Sequence, residues 1–397
     1  MLVLGADSPI GLTVVRELGA RGVPVTAHGR SDRALGRFSR YSQGFVLDVR
    51  PLAQWLAAYV AQHRIGAVMA VSEGHLIELA ALKSTLGDCR VLTPDAGQLA
   101  AVLDKARTLA LAAQLGLAVP TAWQPLAGED HAALAALQGY PVAIKWADPN
   151  AVQRALDAAG VALEKVEYAR NPAALLAILV RYDRVGAWPL VQQYCPGQGL
   201  GQMLHMTGGT ASLRFQHRRL REYPPSGGVS AFCEAVPPSL HSAQMERSEA
   251  LLKALDWQGP AMVEYRFDAA SGTYWLMEVN GRLWGSLPLA WHCGAEFAWE
   301  TYRSAMLGAR GQPGLLKQPG PFKQRRARYV IPDAKALVLV LRDGAVGARI
   351  KLRALVQFGL DFLDPRVRYY VWSLRDPGPL AGDLWGIVKR FARPGKP

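Results

Sequence analysis

Residues 261–286 read AMVEYRFDAASGTYWLMEVNGRLWGS. Two β-type runs, Ala261–Phe267 and Thr273–Val279, flank a turn containing Asp268, Ser271 and Gly272, which is a hairpin signal. Glu264 lies on the first strand. Glu278 and Asn280 lie on the second, two apart and therefore on one face. An antiparallel hairpin can set Glu264 opposite that pair. Two carboxylates and an amide oxygen facing one point make a hard, anionic oxygen site. Such a site suits Mg²⁺, with phosphate oxygens and water completing the shell. It also suits phosphoryl transfer, in which metal ions bridge phosphates and offset developing charge. Arg282, two positions on, adds a planar cation able to clamp phosphate or carboxylate bidentately. The competing reading is a pair of ordinary solvent-face carboxylates. Leu276, Met277 and Val279 oppose it, because an idle carboxylate is costly among apolar neighbours.

Outward from the hairpin, the first hundred residues alternate short β-type runs with helical periods. Strands are expected at Met1–Leu4, Val23–His28, Gly44–Leu47, Ala67–Val71 and Arg90–Leu92. Helices are expected at Gly11–Arg21, Gln54–Gln62 and Leu76–Leu86. This alternation predicts a parallel sheet covered on both faces. Beyond it, Asp104–Leu115, Asn150–Gly160, Pro172–Val180, His241–Leu255 and Phe297–Leu307 read as helices, and Pro141–Lys145 as a strand. Leu190–Tyr194, Gln202–Met206 and Ala211–Gln216 read as strands of one antiparallel sheet. Gly308–Pro321, rich in Gly and Pro, reads as a linker. The 397 residues, half of them hydrophobic and 19% charged, suit two or three globular domains. No apolar run approaches the roughly 20 residues needed to span a bilayer. The start reads as a first strand and not as a signal peptide. Four scattered cysteines without CxxC suggest reduced thiols in a cytoplasmic protein.

Several segments together resemble the ATP-grasp superfamily, nearest its bacterial carboxylate–amine ligase-like members. DKARTLALAAQLGLAVP resembles the family's first helix and Pro turn, with Lys105 matching an early nucleotide-contacting lysine. YPVAIKW resembles the strand whose lysine, here Lys145, holds the α- and β-phosphates. LVQQYCPG resembles the adenine hinge, with Gln192, Gln193 and the Cys195 backbone as contacts. EYR and MEVNGR resemble the metal strands, with Glu264, Glu278 and Asn280 as ligands. The resemblance implies an α/β and α+β architecture: a parallel α/β (pre-ATP-grasp) domain over 1–100, a two-subdomain ATP-grasp fold over 101–310, and a basic C-terminal extension over 311–397. It implies ATP with Mg²⁺, Mn²⁺ being an alternative, and activation of a carboxylate as an acyl phosphate that an amine then attacks. Two departures stand out. The hinge has glutamine where glutamate is common, and an amide still accepts from an adenine amino group. After Lys145 the chain reads ADPNAVQRALDAAGVALEKV, with Gly160 in place of a glycine-rich phosphate loop, so Lys165 becomes a candidate for covering the phosphates.

FQHRRLREYPPSGGVSAFCEA, residues 215–235, places Arg218, Arg219 and Arg221 before the Ser226–Gly228 turn. Guanidinium groups beside exposed backbone N–H suit an anion. Strand alternation puts Arg219 and Arg221 on one face and Arg218 on the other, so Arg219, Arg221 and Arg282 are the candidates for stabilising the acyl phosphate. Trp284, Trp291 and His292 are weaker candidates for an acceptor pocket. The turn between Gly5 and Gly11 lacks GxGxxG spacing and is a weak cofactor motif.

From Gln312 onward, seventeen Lys/Arg stand against six Asp/Glu, +11 of the whole chain's +13. Interleaved aromatic and basic residues there suit peripheral contact with an anionic membrane at its inner face, or a small subdomain with a basic solvent side. Nothing resembles a nucleic-acid-binding motif. The leading function is an ATP-dependent ligase joining small or envelope-linked carboxylate and amine substrates. A nucleotide-binding regulatory or scaffold protein and an ATP-grasp phosphotransferase are the alternatives.

Overall fold

Short buried strands with helices between them build the N-terminal part of the chain. The computed structural model describes residues 1–126, 130–136, 139–146, 149–164, 166–225, 227–307 and 323–391. The linker expected at 308–321 and the candidate Lys165 lie outside them. β1 (Leu2–Leu4), β2 (Val25–Gly29), β3 (Ser42–Leu47), β4 (Ala67–Ala70) and β5 (Arg90–Leu92) form a parallel sheet in the order β3-β2-β1-β4-β5. Every residue of β1 and β4 is buried, as sheets covered on both faces require. The helix Pro9–Ala20 starts where Ser8 caps the Gly11 amide and Pro9 supplies a preset φ.

A second sheet, β6 (Ala122–Trp123), β7 (Val142–Lys145), β8 (Glu167–Ala169) and β9 (Leu190–Gln193), runs antiparallel in the order β6-β9-β7-β8. Leu175 and Leu179 of the helix Pro172–Val180 pack with Val142, Ile144 and Val191 beneath it. β9 therefore pairs with β7 and not with the strands that follow it, which corrects the single antiparallel sheet expected from the sequence.

The third sheet has seven strands: β10 (Gln198–Thr207), β11 (Thr210–Tyr223), β12 (Val229–Ala235), β13 (Gly259–Asp268), β14 (Thr273–Asn280), β15 (Arg326–Arg328) and β16 (Val367–Tyr369). Their order is β14-β13-β10-β11-β12-β15-β16, antiparallel except for β15 beside β16. Its core is continuous with that of the N-terminal sheet. Leu12, Val15 and Leu18 of the first helix share a cluster with Leu287, Phe297 and Ala327.

Within the C-terminal residues, β15 and β16 widen the third sheet. Three helices, Val330–Arg342, Ala348–Leu360 and Gly378–Phe391, accompany them. Ion pairs within these residues and to the body of the chain hold them there. Arg326 meets Glu234 at 2.9 Å and Asp364 at 3.2 Å. Arg328 meets Asp333 at 2.5 Å. Buried Asp376 accepts from Arg16 Nε at 2.8 Å, Ser39 Oγ at 2.7 Å and the Arg40 amide at 2.8 Å. Among the described residues, no helix is long and apolar enough to cross a membrane.

Candidate functional site

The hairpin β13–β14 pairs Glu264 directly opposite Glu278, with a register shift immediately after Glu264. Cross-strand partners share a face, so both carboxylates point the same way. Asn280, two residues along, joins them, and its Nδ2 donates to Glu278 Oε1 at 3.1 Å. Gly281 follows because an added Cβ would stand 2.5 Å from the ring of buried Trp257. The backbone can turn there only without a side chain, and the turn brings Arg282 back. Arg282 Nη2 donates to Asn280 Oδ1 at 3.0 Å, and its Nε lies 3.7 Å from Glu73 of the N-terminal part.

Three further cations converge on the carboxylates. Lys105 opens the helix Lys105–Gln114, whose N-cap Asp104 fixes the turn, and its Nζ lies 3.5 Å from Glu278 Oε2. Arg219 reaches from β11 across β10 to Glu264, at 2.5 Å. The crossing exists because the intervening residue is Gly199, whose added Cβ would stand 2.8 Å from Arg219 Cδ. Arg219 Nη1 also donates to Glu222 at 3.0 Å and to the Gly228 carbonyl at 3.2 Å. Lys145 ends β7 in the other sheet and feels both Glu278 and Glu264. Burial lowers its pKa below the usual lysine range against their pull. Burial pushes Glu278 up, but Lys105, the Asn280 amide, Lys145 and Arg219 outweigh it and hold the carboxyl below its ordinary value. Burial works against the charged Arg219, yet Glu264 and Glu222 raise its pKa.

Of the two glutamines, only Gln192 faces the same side of the second sheet as Lys145. Gln192 pairs with Ala143, two residues before Lys145, so its side chain shares the Lys145 face. Gln192 is 1% exposed, and neither its Nε2 nor its Oε1 has a hydrogen-bond partner among the described residues. A buried primary amide left unpaired costs ~1–3 kcal/mol, which a ligand edge with a donor and an acceptor would recover. Gln193 is instead tied locally, its Oε1 accepting from the Thr121 amide at 3.3 Å. Cys195 is buried, with its thiol pushed up to about 11 by burial, which leaves the thiol inert.

Arg221 is not brought to the carboxylates. A bulge displaces the register between Arg219 and Arg221. Arg221 turns instead to Asp333 and Asp361, each at 2.6 Å, and so holds the C-terminal helices. Trp284 is fully buried with its ring edge-on to Phe297 and belongs to the core. His292 contacts the Tyr369 carbonyl at 3.2 Å, and burial depresses its pKa to about 4. The sequence reading passed over Glu73, Arg266 and Gly199. Only Gly199 left a local signal, in the alternate glycines of Gly197, Gly199 and Gly201. Beside Arg219, a cavity of about 670 Å³ opens between β11 and the helices Val330–Arg342 and Ala348–Leu360, with Arg266, Leu337 and Phe358 in its wall.

The donor set fits a hard divalent ion. It offers two carboxylates and an amide oxygen and no sulfur or imidazole. Among the described residues, no three His, Cys, Asp or Glu side chains cluster as a closed metal cage. Two carboxylates with phosphate oxygens completing the shell are what Mg²⁺ commonly takes.

No family model matches the chain by sequence, and no curated protein matches it. Solved structures do match. One is the biotin carboxylase domain of 2-oxoglutarate carboxylase from Hydrogenobacter thermophilus, determined with MgADP, ADP and bicarbonate. It superposes with a TM-score of 0.58 at 16% identity, over 78% of this chain and 70% of that one. L-amino acid ligase from Bacillus licheniformis gives 0.56 at 17% identity, over 77% and 73% of the two chains. N5-carboxyaminoimidazole synthetase from Staphylococcus aureus gives 0.57 at 11% identity, over 77% and 76%. These likenesses, with an N-terminal parallel sheet followed by a four-stranded antiparallel sheet and a mainly antiparallel seven-stranded sheet, establish that the chain has the ATP-grasp fold.

Proposed function

We propose that this protein is an ATP- and Mg²⁺-dependent ligase that joins a carboxylate to an amine through an acyl phosphate. The observation that carries the reading is the face-to-face pair Glu264 and Glu278, with Asn280 beside them and Lys105, Lys145 and Arg219 around them. In this reading Gln192 and the Cys195 backbone hold adenine, and Lys145 and Lys105 hold phosphates. Glu264, Glu278 and Asn280 hold Mg²⁺, which would offset negative charge on the phosphates during transfer. Arg219 and Arg282 are the two guanidinium groups placed to steady an acyl phosphate and its transition state. No general base is required of a side chain, because alignment and charge account for most of this chemistry. The cavity beside Arg219 is the place for the carboxylate substrate. The solved L-amino acid ligase is, by its name, a ligase of amino acids, and that likeness supports the reaction class.

The test is ADP release from purified protein given ATP·Mg²⁺ and pools of amino acids, small carboxylates and amines, with Glu278→Gln in parallel. Turnover in one pool that drops at least a hundredfold in the variant, with an amide and free phosphate as products, is expected. A phosphorylated acceptor in place of an amide would make the enzyme a phosphotransferase. ATP·Mg²⁺ binding without turnover in any pool would favour a nucleotide-binding protein.

A further inference from the structure

The net positive charge of the C-terminal residues is not spread evenly. Arg326, Arg328 and Arg366 are each paired with a carboxylate. Lys323, Arg325, Arg368 and Arg375 have no acidic partner among the described residues, and all four line one cavity of about 660 Å³ between the helix Leu287–Cys293 and β16. No Asp or Glu lines it. Trp291 and His292 form one wall, and Tyr369 and Trp372, edge to face with centroids 5.4 Å apart, form another.

The arrangement is unfavourable without a counter-charge. Arg325 Nε is buried and donates to nothing among the described residues. Arg368 spends only Nη1, on the Pro365 and Val367 carbonyls at 2.7 and 3.0 Å. Burial depresses the pKa of Arg368, and its neighbour Arg325 depresses it further. His292 is bonded to the Tyr369 carbonyl at 3.2 Å and is neutral at pH 7, so it adds no charge of either sign. Guanidinium forks are shaped for the oxygens of phosphate, and aromatic walls suit the body that carries the phosphate.

We infer that this cavity binds a ligand bearing a phosphate group, at a site separate from the carboxylate cluster that would take ATP. The phosphate accepts from Arg325 and Arg368, and Lys323 and Arg375 close over it from the exposed side.

The experiment is calorimetric titration of the full chain with inorganic pyrophosphate and, separately, flotation with phosphatidylglycerol vesicles. Three variants are compared: Arg325→Ser with Arg368→Ser, Lys323→Ser with Arg375→Ser, and Lys145→Ala as a control in the nucleotide site. Lys323 and Arg375 are exposed, so their replacement leaves folding intact. Pyrophosphate affinity is expected to fall at least tenfold in each cavity pair and to stay within twofold in Lys145→Ala. Vesicle binding that both cavity pairs abolish, without pyrophosphate binding, would assign the phosphate to a lipid headgroup and still support the site. Pyrophosphate binding that survives both pairs and is lost in Lys145→Ala, or no binding of either probe, would overturn the inference.

Discussion

Replacing Asp333 with alanine should destabilise the C-terminal part of the third sheet by ~3–5 kcal/mol. Asp333 and Arg328 are both 0% exposed. Asp333 Oδ2 accepts from Arg328 Nε at 2.5 Å and from Arg221 Nη2 at 2.8 Å, and its Oδ1 accepts from Arg221 Nε at 2.6 Å. The two arginines do not suffer equally when it is lost. Arg221 is 28% exposed and keeps Asp361 at 2.6 Å. Arg328 keeps only the rings of Phe358 and Phe362, 4.0 and 4.2 Å from its guanidinium carbon, and its Nη1 and Nη2 already lack partners among the described residues. Its burial would then be uncompensated by any carboxylate, the costly way of breaking a buried pair. Asp361→Ala leaves both arginines with Asp333 and should cost only ~1.5–3 kcal/mol, the worth of a charged hydrogen bond. Two-state unfolding is a property of small single domains, and this chain has three sheets. The reading is therefore native-state hydrogen exchange of β15 and the helix Val330–Arg342, with urea unfolding beside it. A loss below ~1 kcal/mol, or equal losses for the two aspartates, would refute the charge argument. Pairing Asp333→Leu with Arg328→Met should recover most of the stability, because no buried charge is then stranded.

Lys145→Met should weaken ATP·Mg²⁺ binding by ~10–100-fold, the worth of one charge-assisted hydrogen bond, while leaving stability unchanged or slightly higher, since burial already disfavours this ammonium. Calorimetry showing less than a threefold change would remove Lys145 from the phosphate site. Glu17 is fully buried, accepts from the Trp299 amide at 2.7 Å, and has its pKa raised to about 8 by burial. A raised carboxyl contributes its stability in full below about pH 4.5 and loses it as pH climbs to 8, so urea midpoints should fall over that window by ~3–5 kcal/mol equivalents. Glu17→Gln should flatten the profile and be the more stable protein at pH 8; an unchanged slope would show that Glu17 is not the titrating group. Gly199→Ala should cost ~1–3 kcal/mol and lower turnover by driving Arg219 off Glu264, and wild-type turnover in this variant would show that the contact is dispensable.

Period-two alternation carried the decisive reading, because Glu264, Glu278 and Asn280 share a face whatever surrounds the hairpin. The parallel sheet was legible for a similar reason: each strand is a short apolar run bounded by helical periods. Pairing between distant strands was not. Nothing in Leu190–Gln193 says that it joins Val142–Lys145 and not the next strand, for that choice depends on which apolar faces remain open in three dimensions. The bulge after Arg219 was equally hidden, because one unpaired residue reverses the alternation on which the Arg221 assignment rested. Arg326–Arg328 and Val367–Tyr369 look solvated by composition. Arg326–Arg328 can pair as a strand because Glu234, Asp333 and Asp364 neutralise its arginines, and those acids lie as far as 92 residues away.

Charge balance at the carboxylate cluster explains why these residues are arranged as a closed set. Lys105, Lys145, Arg219 and Arg282 stand against Glu264, Glu278, Glu222 and Glu73, so a divalent cation arriving alone would meet carboxylates whose charge is already balanced. Each candidate ligand is also held by a protein donor: Glu264 by Arg219, Glu278 by Lys105 and Asn280, and Asn280 by Arg282. Opposing charges at ~3.5 Å interact by several kcal/mol at an effective dielectric near 20, less for Lys105, which is partly solvated. A polyphosphate changes the balance, since it supplies anionic oxygens both to the lysines and to the metal. The two therefore bind most favourably together, and by linkage each raises the affinity for the other. On this account the lysines that would hold the phosphates are the same groups that keep Glu278 ionised and aligned beforehand, so the site needs little reorganisation when nucleotide and metal enter.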